Sequence, residues 1–289
     1  MEKQKLAIVG SGIAGMGCAH FLHQHFDITV FEQNDYIGGH TNTVTVDEGG
    51  KPVYIDTGFM VFNHVTYPNL CRLFDEIGAP TKKTDMSFSV MHVPTGLEYC
   101  GTGINGLFAQ RKNIFNIKYI KMLMQIGRFN EESVKDLDDP KYDSHSLGEY
   151  IKEKGFGDEM LNKYLIPMSS AVWSTPMDLM LEFPAKALIR FFYNHGFLGL
   201  NTQHQWYTPV DGSQSYRKIL IEPFKDRILV NAKVEKVKRE KEKVTISLKD
   251  GRDFEFDKII FASHGDQTLK ILGDDATPLE KELLQHFKY

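Results

Sequence analysis

Leu6–Val9 is a short apolar run and Ile28–Phe31 is a second, with helically spaced apolar positions between them. That order predicts two parallel strands joined by a crossover helix. Thr43–Val46 and Pro52–Ile55 alternate apolar and polar residues around Asp47-Glu48-Gly49-Gly50, which predicts a hairpin. Pro68–Ile77 is amphipathic and stops at Gly78 and Pro80, as a short helix would. Met86–Val93 and Leu97–Tyr99, divided by Pro94-Thr95-Gly96, predict a second hairpin.

From about Gly103 to Gly196 the period becomes helical. Ile114, Ile117, Ile120 and Leu123 recur every three residues, with Lys118 and Lys121 on another side. Ser146 followed by Glu149 is a capping-box pattern at a helix start. Phe183–His195 carries Pro184 in its first turn and Gly196 just past its end, so both helix stops are in place. Met122, Met124, Met160, Met168, Met177 and Met180 fall in this block. They suit a plain core, or a yielding apolar wall around a bulky substrate.

After Trp206 the α/β pattern returns. Gly212–Glu222 predicts a helix. Ile228–Val230, Ala232–Val237, Val244–Leu248 and Phe254–Ala262 predict strands, with a turn at Lys249-Asp250-Gly251-Arg252. The expected fold is therefore α/β. A Rossmann-like nucleotide-binding lobe with a parallel sheet and a β-meander is built from residues 1–80 and 205–289. A mainly helical substrate lobe, 81–204, is inserted between them.

Composition narrows the function classes. At 289 residues, 42% hydrophobic and 25% charged, the chain reads as an ordinary globular protein. A net charge of −4 gives no electrostatic case for nucleic acid. Three widely spaced cysteines without a C-x-x-C pattern argue for a reducing compartment, and none of the eleven histidines makes a metal-site spacing with acids. No apolar run reaches the roughly 20 residues of a membrane span, and the charged start runs directly into the first strand. The expectation is a cytoplasmic protein with no transmembrane segment and no metal; peripheral contact with a membrane and the oligomeric state stay open.

The chemistry begins at Leu6–Gly17, L-A-I-V-G-S-G-I-A-G-M-G. Gly10 permits the tight turn out of the strand, Gly12 lets backbone approach a pyrophosphate, and Gly15 lets the helix pack close to the sheet. The helix starting near Ile13 and Ala14 aims its free N–H groups at phosphate. Glu32, twenty positions past Gly12, stands where a carboxylate accepts ribose hydroxyls, with Gln33 beside it.

FAD and NAD(P) both use such a turn. Gly38-Gly39-His40-Thr41 adds a second glycine pair suited to the pyrophosphate side of an extended FAD, which a nicotinamide cofactor needs less. Asp56-Thr57-Gly58 supplies a carboxylate, a hydroxyl and bare backbone that suit a ribityl chain.

The runs G-S-G-I-A-G through F-E, I-G-G-H-T-N-T and D-T-G-F resemble the two-glycine-motif flavoproteins. That superfamily includes monoamine oxidases, protoporphyrinogen oxidases and the carotenoid and phytoene desaturases. D-T-G-F-M-V-F-N, T-Y-P-N-L, D-M-S-F-S-V, A-V-W-S and N-H-G-F-L resemble a bacterial and plant branch of amine-oxidase-like flavoproteins associated with cyclopropane and other fatty-acyl modification. Pro209–Tyr216 resembles the segment before the helix that closes the substrate pocket. Lys225–Lys238, followed by Asp250-Gly251 and Lys258–Ala262, resembles the third cofactor segment, which implies backbone near Val234 at adenine and Ala262 beside the cleft. His40 stands where many relatives carry arginine. The family's later segment, with a second Gly-Asp pair, lies beyond Tyr289, so the chain is expected to be a C-terminally truncated member.

The resemblance implies an FAD-dependent oxidoreductase that removes a hydride equivalent from an apolar, small-molecule substrate, with no side-chain catalyst assigned. Trp173, His195, Trp206 and Tyr207 are the candidate substrate residues. A non-catalytic FAD- or nucleotide-binding module and an NAD(P)-dependent dehydrogenase are the alternatives.

Overall fold

The computed structural model describes residues 2–199, 202–287 and 289. The chain divides into two units. The first holds 1–61, 69–82 and 207–289; the second holds 62–68 and 83–206.

In the first unit, β1 (Lys5–Val9) leads into α1 (Ile13–Leu22) and β2 (Asp27–Phe31). The hairpin β3 (Thr43–Glu48) and β4 (Lys51–Asp56) follows, then α2 (Pro68–Ile77). After the inserted unit come α3 (Gln214–Ile221), β5 (Ile228–Leu229), β6 (Val234–Arg239), β7 (Val244–Leu248), β8 (Asp253–Phe256), β9 (Lys258–Phe261) and α4 (Gly265–Leu272). The parallel sheet has the order β5-β2-β1-β9. Both its faces are covered, which explains the unbroken apolar run of β1. Leu6, Ile8, Ile28 and Val30 pack on one side with Ala19 of α1 and Phe224. Ala7, Val9 and Phe31 pack on the other with Val237, Ile246 and Phe256 of the antiparallel sheet β6-β7-β8. Burying one such side chain stabilises the fold by about 1.5–3 kcal/mol.

The stretch 254–262, expected as one strand, is two. Asp257 separates β8, which pairs antiparallel with β7, from β9, which pairs parallel with β1. The Asp257 carboxylate accepts the Lys5 N–H at 2.7 Å, and its own N–H donates to the Lys5 carbonyl at 3.0 Å. This turn moves the chain from one sheet to the other, a change that apolar periodicity does not encode. The strand expected from Ala232 begins at Val234, because Ala232 N–H is spent on the Glu32 carbonyl at 2.7 Å.

The second unit carries a hairpin, Ser89–His92 with Leu97–Cys100, and helices that include Ile117–Asp136, Leu147–Glu153, Ile166–Trp173 and Ala185–Asn194. Tyr119, Met122, Phe129 and Ser133 form the buried face of the long helix. The expected stripe through Ile114 and Ile117 is therefore not the core face, and Ile117 is 72% exposed. Met122, Met160, Met168 and Met180 are core residues, whereas Met124 and Met177 are exposed.

Candidate dinucleotide site

The end of β1 is tied to its neighbours before it turns. Gly10 N–H donates to the Phe31 carbonyl at 2.8 Å, and Ala262 N–H donates to the Val9 carbonyl at 2.8 Å. Gly10 then turns with φ +106°, and a Cβ there would lie 2.7 Å from the Ala262 carbonyl oxygen. Only glycine combines that backbone angle with so close an approach. A Cβ on Gly15 would fall 1.9 Å from the Gly10 carbonyl oxygen, so helix and turn touch backbone to backbone.

Gly12 is different. It begins α1 with φ −64° and ψ 178°, and a Cβ on it would meet nothing within 4 Å. Met16 is the first residue to donate back to Gly12, at 2.9 Å. The N–H groups of Ile13, Ala14 and Gly15 therefore have no acceptor within the helix. This exposed, electropositive helix start faces open space and suits an anion.

Glu32 directly follows β2 and is 5% exposed. Its Oε2 accepts both the Ser11 N–H, at 3.1 Å, and the Ser11 hydroxyl. Oε1 accepts the Asn34 N–H at 2.9 Å. The buried carboxylate is thus held rigidly beside the glycine turn. Ser11 Oγ also accepts the Gly38 N–H at 3.1 Å, which joins the first glycine turn to the second. Gly39 has φ +57°, and a Cβ there would stand 3.3 Å from Gly12 Cα, so the two glycine motifs approach one another closely. Ser11 lies inside the glycine motif, whose spacing alone gives it no role. Its hydroxyl is the sole side-chain polar group between the glycines, and that is the mark it carries in the sequence.

The other expected cofactor residues fall into connected groups. His40 is exposed, and its Nε2 is hydrogen-bonded to the Tyr289 hydroxyl at 2.7 Å. Thr41 is buried and hydrogen-bonded to the Tyr216 hydroxyl at 2.6 Å. A Cβ on Gly58 would lie 2.3 Å from the His40 carbonyl oxygen, and Thr57 Oγ1 accepts from Asn42 at 2.9 Å. Asp56 is already engaged. It accepts from Thr43 Oγ1 at 2.6 Å, from Ser213 Oγ at 2.7 Å, and from Ser213 N–H at 2.9 and 3.0 Å. Asp56 thereby pins the start of α3 to the hairpin. Arg217 of α3 donates to the Ile37 carbonyl at 2.7 Å and supports the loop before the second glycine pair. Val234 is buried with its side chain in the core, Ala262 closes over Gly10, and Gln33 is exposed.

Three of the four candidate substrate residues lie in the second unit. Trp173 packs against Phe183 and Phe191, with ring centroids 4.9 and 4.7 Å apart. His195 stacks on Phe191 at 3.8 Å and on Trp206 at 6.2 Å, and is hydrogen-bonded through Nδ1 to the Phe191 carbonyl at 2.9 Å. Burial holds its pKa below the ordinary histidine value, so the ring is neutral near pH 7. His195 also terminates helix Ala185–Asn194. Tyr207 belongs to the first unit.

A parallel sheet, a Cβ-free helix start and a buried acid held beside it define a dinucleotide-binding protein of the two-glycine type. Residues 13–288 match the family of flavin-containing amine oxidoreductases, and the chain belongs to that family. It is 38% identical over 78 residues to a zeta-carotene desaturase of Capsicum annuum, covering 27% of this chain and 13% of that protein. It is 31% identical over 99 residues to flavin-containing amine oxidase B of Homo sapiens, covering 34% of this chain and 18% of that protein. Among solved structures it is similar in fold to a putrescine oxidase variant, with a TM-score of 0.71 at 18% identity. That likeness covers 99% of this chain and 63% of the oxidase. A cyclohexylamine oxidase from Brevibacterium oxydans gives a TM-score of 0.68 at 19% identity, covering 98% of this chain and 63% of that one. The chain thus spans under two thirds of the length of these structures and matches a small part of the curated relatives.

Proposed function

We propose that the first unit binds FAD and that the chain serves an FAD-dependent oxidation of a small, apolar substrate. The observation that carries the reading is the pairing of an unobstructed Gly12 with a buried Glu32 fixed by Ser11. The turn Gly10, Gly12, Ile13, Ala14 and Gly15 would hold phosphate, and Glu32 the adenosine ribose, with Gln33 next to it. Gly39, His40 and Thr41 would line the pyrophosphate side, backbone at Val234 the adenine, and Ala262 the cleft. Thr57 and Gly58 would lie along the ribityl chain. Asp56 would act there by holding Ser213 and Thr43 in place rather than by offering a free carboxylate. The chemistry that FAD supplies when bound is acceptance of a hydride equivalent from a substrate C–H bond.

For the substrate, the cluster of Trp173, His195 and Trp206 offers ring faces and a neutral imidazole, with no carboxylate among them to meet a charged amine. That composition favours an apolar molecule, a fatty-acyl chain included. The three cysteines are widely spaced and form no C-x-x-C pattern, in keeping with a reducing, cytoplasmic setting.

The reading is tested by the visible spectrum of the purified protein after incubation with FAD. Retained flavin bands that bleach anaerobically with a lipid support it, and bleaching with an amine alone moves the substrate class to amines. Binding of NADH with rejection of FAD overturns it in favour of a dehydrogenase.

A further inference from the structure

Residues 99–130 contain no aspartate or glutamate but five cations, Arg111, Lys112, Lys118, Lys121 and Arg128, in a chain whose net charge is −4. The same segment exposes large apolar side chains. Phe115 is 89% exposed, Ile104 77%, Ile117 72% and Met124 69%. Ile117, Lys121 and Met124 fall at i, i+4 and i+7 of helix Ile117–Asp136, opposite its buried face. Lys112, Lys118 and Lys121 make no ion pair among the described residues. Lys112, Phe115, Asn116 and Lys118 line a cavity of about 450 Å³ together with Glu159 and Lys163, which pair with each other. Arg128 is committed elsewhere, donating to the Lys154 and Gly155 carbonyls at 2.9 and 3.2 Å.

The exposed tip is held firmly from behind. Asn113 is 3% exposed and donates to Gln110 at 3.1 Å, and Gln110 donates to the Gly96 carbonyl at 2.9 Å. Asn116 caps the helix by accepting the Tyr119 N–H at 3.2 Å, and the Tyr119 hydroxyl donates to the Leu107 carbonyl at 2.6 Å. Phe115 and Ile117 are therefore presented to solvent by a network of fixed polar contacts.

We propose that this face docks on the surface of an anionic phospholipid bilayer. Apolar side chains interleaved with lysines that make no ion pair, beside a single acid already paired with Lys163, match the boundary between acyl chains and phosphate headgroups. Phe115, Ile117, Ile104 and Met124 would enter the acyl boundary. Lys112 and Lys118, at the polar cavity, would meet headgroup phosphates. The charge pattern selects this occupant over a neutral apolar partner, for which the lysines would be a desolvation cost.

The test is co-sedimentation of the protein with vesicles of phosphatidylcholine alone and of phosphatidylcholine mixed with phosphatidylglycerol. Binding to the mixed vesicles, weaker on neutral ones and reversed by salt, is expected. Lys112→Glu with Lys118→Glu should weaken that binding by about tenfold or more. Phe115→Ser with Ile117→Ser should do the same while the melting temperature holds, because both side chains are exposed. No binding to the mixed vesicles overturns the proposal, as does binding that both variants retain. A dimer in solution that Phe115→Ser with Ile117→Ser dissociates also overturns it, in favour of a second copy of the chain. The assay needs no cofactor, so its outcome is independent of the FAD reading.

Discussion

Ser11 and Glu32 are joined twice, by the Ser11 N–H at 3.1 Å and by the Ser11 hydroxyl, across twenty-one positions of sequence. Because Ser11 Oγ also receives the Gly38 N–H, one small side chain locks the acid to both glycine motifs. Ser11→Ala would leave the buried Glu32 oxygen and the Gly38 N–H each short of a partner. It should lower stability by about 1–3 kcal/mol, read by urea denaturation, and weaken FAD binding as well. Glu32→Ala should weaken FAD by about 1–3 kcal/mol in a fluorescence titration. Unchanged affinity in Glu32→Ala would remove Glu32 from the site.

Gly12 and Gly15 should separate cofactor binding from folding. Gly15→Ala drives a Cβ against the Gly10 carbonyl, so backbone must move, and a loss of about 1–3 kcal/mol is expected in thermal or urea unfolding. Gly12→Ala has open space and an ordinary φ, so stability should change by less than about 1 kcal/mol. Its FAD affinity should nevertheless fall, since the methyl takes the room meant for phosphate.

Arg239 grips Glu280 through two nitrogens at 2.7 and 2.8 Å and Asp275 through a third at 2.8 Å. With Arg239 as the largest cause, the Glu280 carboxyl is lowered from 4.5 to about 2. A depressed carboxylate contributes stability that is present above its unfolded pKa and lost as pH falls from about 4.5 toward 2. The group is partly exposed, so Glu280→Gln should cost only about 1 kcal/mol at pH 7. The gap from the parent protein should close as the pH approaches 2 in denaturant titrations.

His195 gives an acid-side prediction of its own. Its pKa is lowered by burial, so the unfolded chain takes up the proton first as pH falls. The stability linked to this ring is complete above about pH 6.5 and is lost as pH drops toward its lower folded value. Proton NMR should find the ring neutral at a pH where free histidine is half charged. A ring that titrates at the ordinary value would contradict its enclosure by Phe191 and Trp206.

Much of the site was legible because its signals are local. Gly10, Gly12 and Gly15 span the turn from an apolar strand into a helix, and Glu32 directly follows the next strand. Helix Pro68–Ile77 has the bounds its stops define, and the Ser146–Glu149 capping box forms in both directions. What the chain order hides is contact across distance. Asp56 finds Ser213 at a separation of 157 residues, so a carboxylate that looks available for ligand is a brace. The break at Asp257 depends on a strand 252 residues away. Ile114 and Ile117 recur at a helical spacing, yet the buried face of helix Ile117–Asp136 belongs to Tyr119, Met122, Phe129 and Ser133, and both isoleucines are exposed.

The central claim is most directly tested by titrating the purified protein with FAD and with NADH, alongside Gly12→Val. FAD should bind, NADH should bind much more weakly, and the branched side chain at position 12 should abolish FAD binding while the fold persists in circular dichroism. FAD binding that survives in Gly12→Val, or NADH binding that exceeds it in the parent protein, would contradict the account.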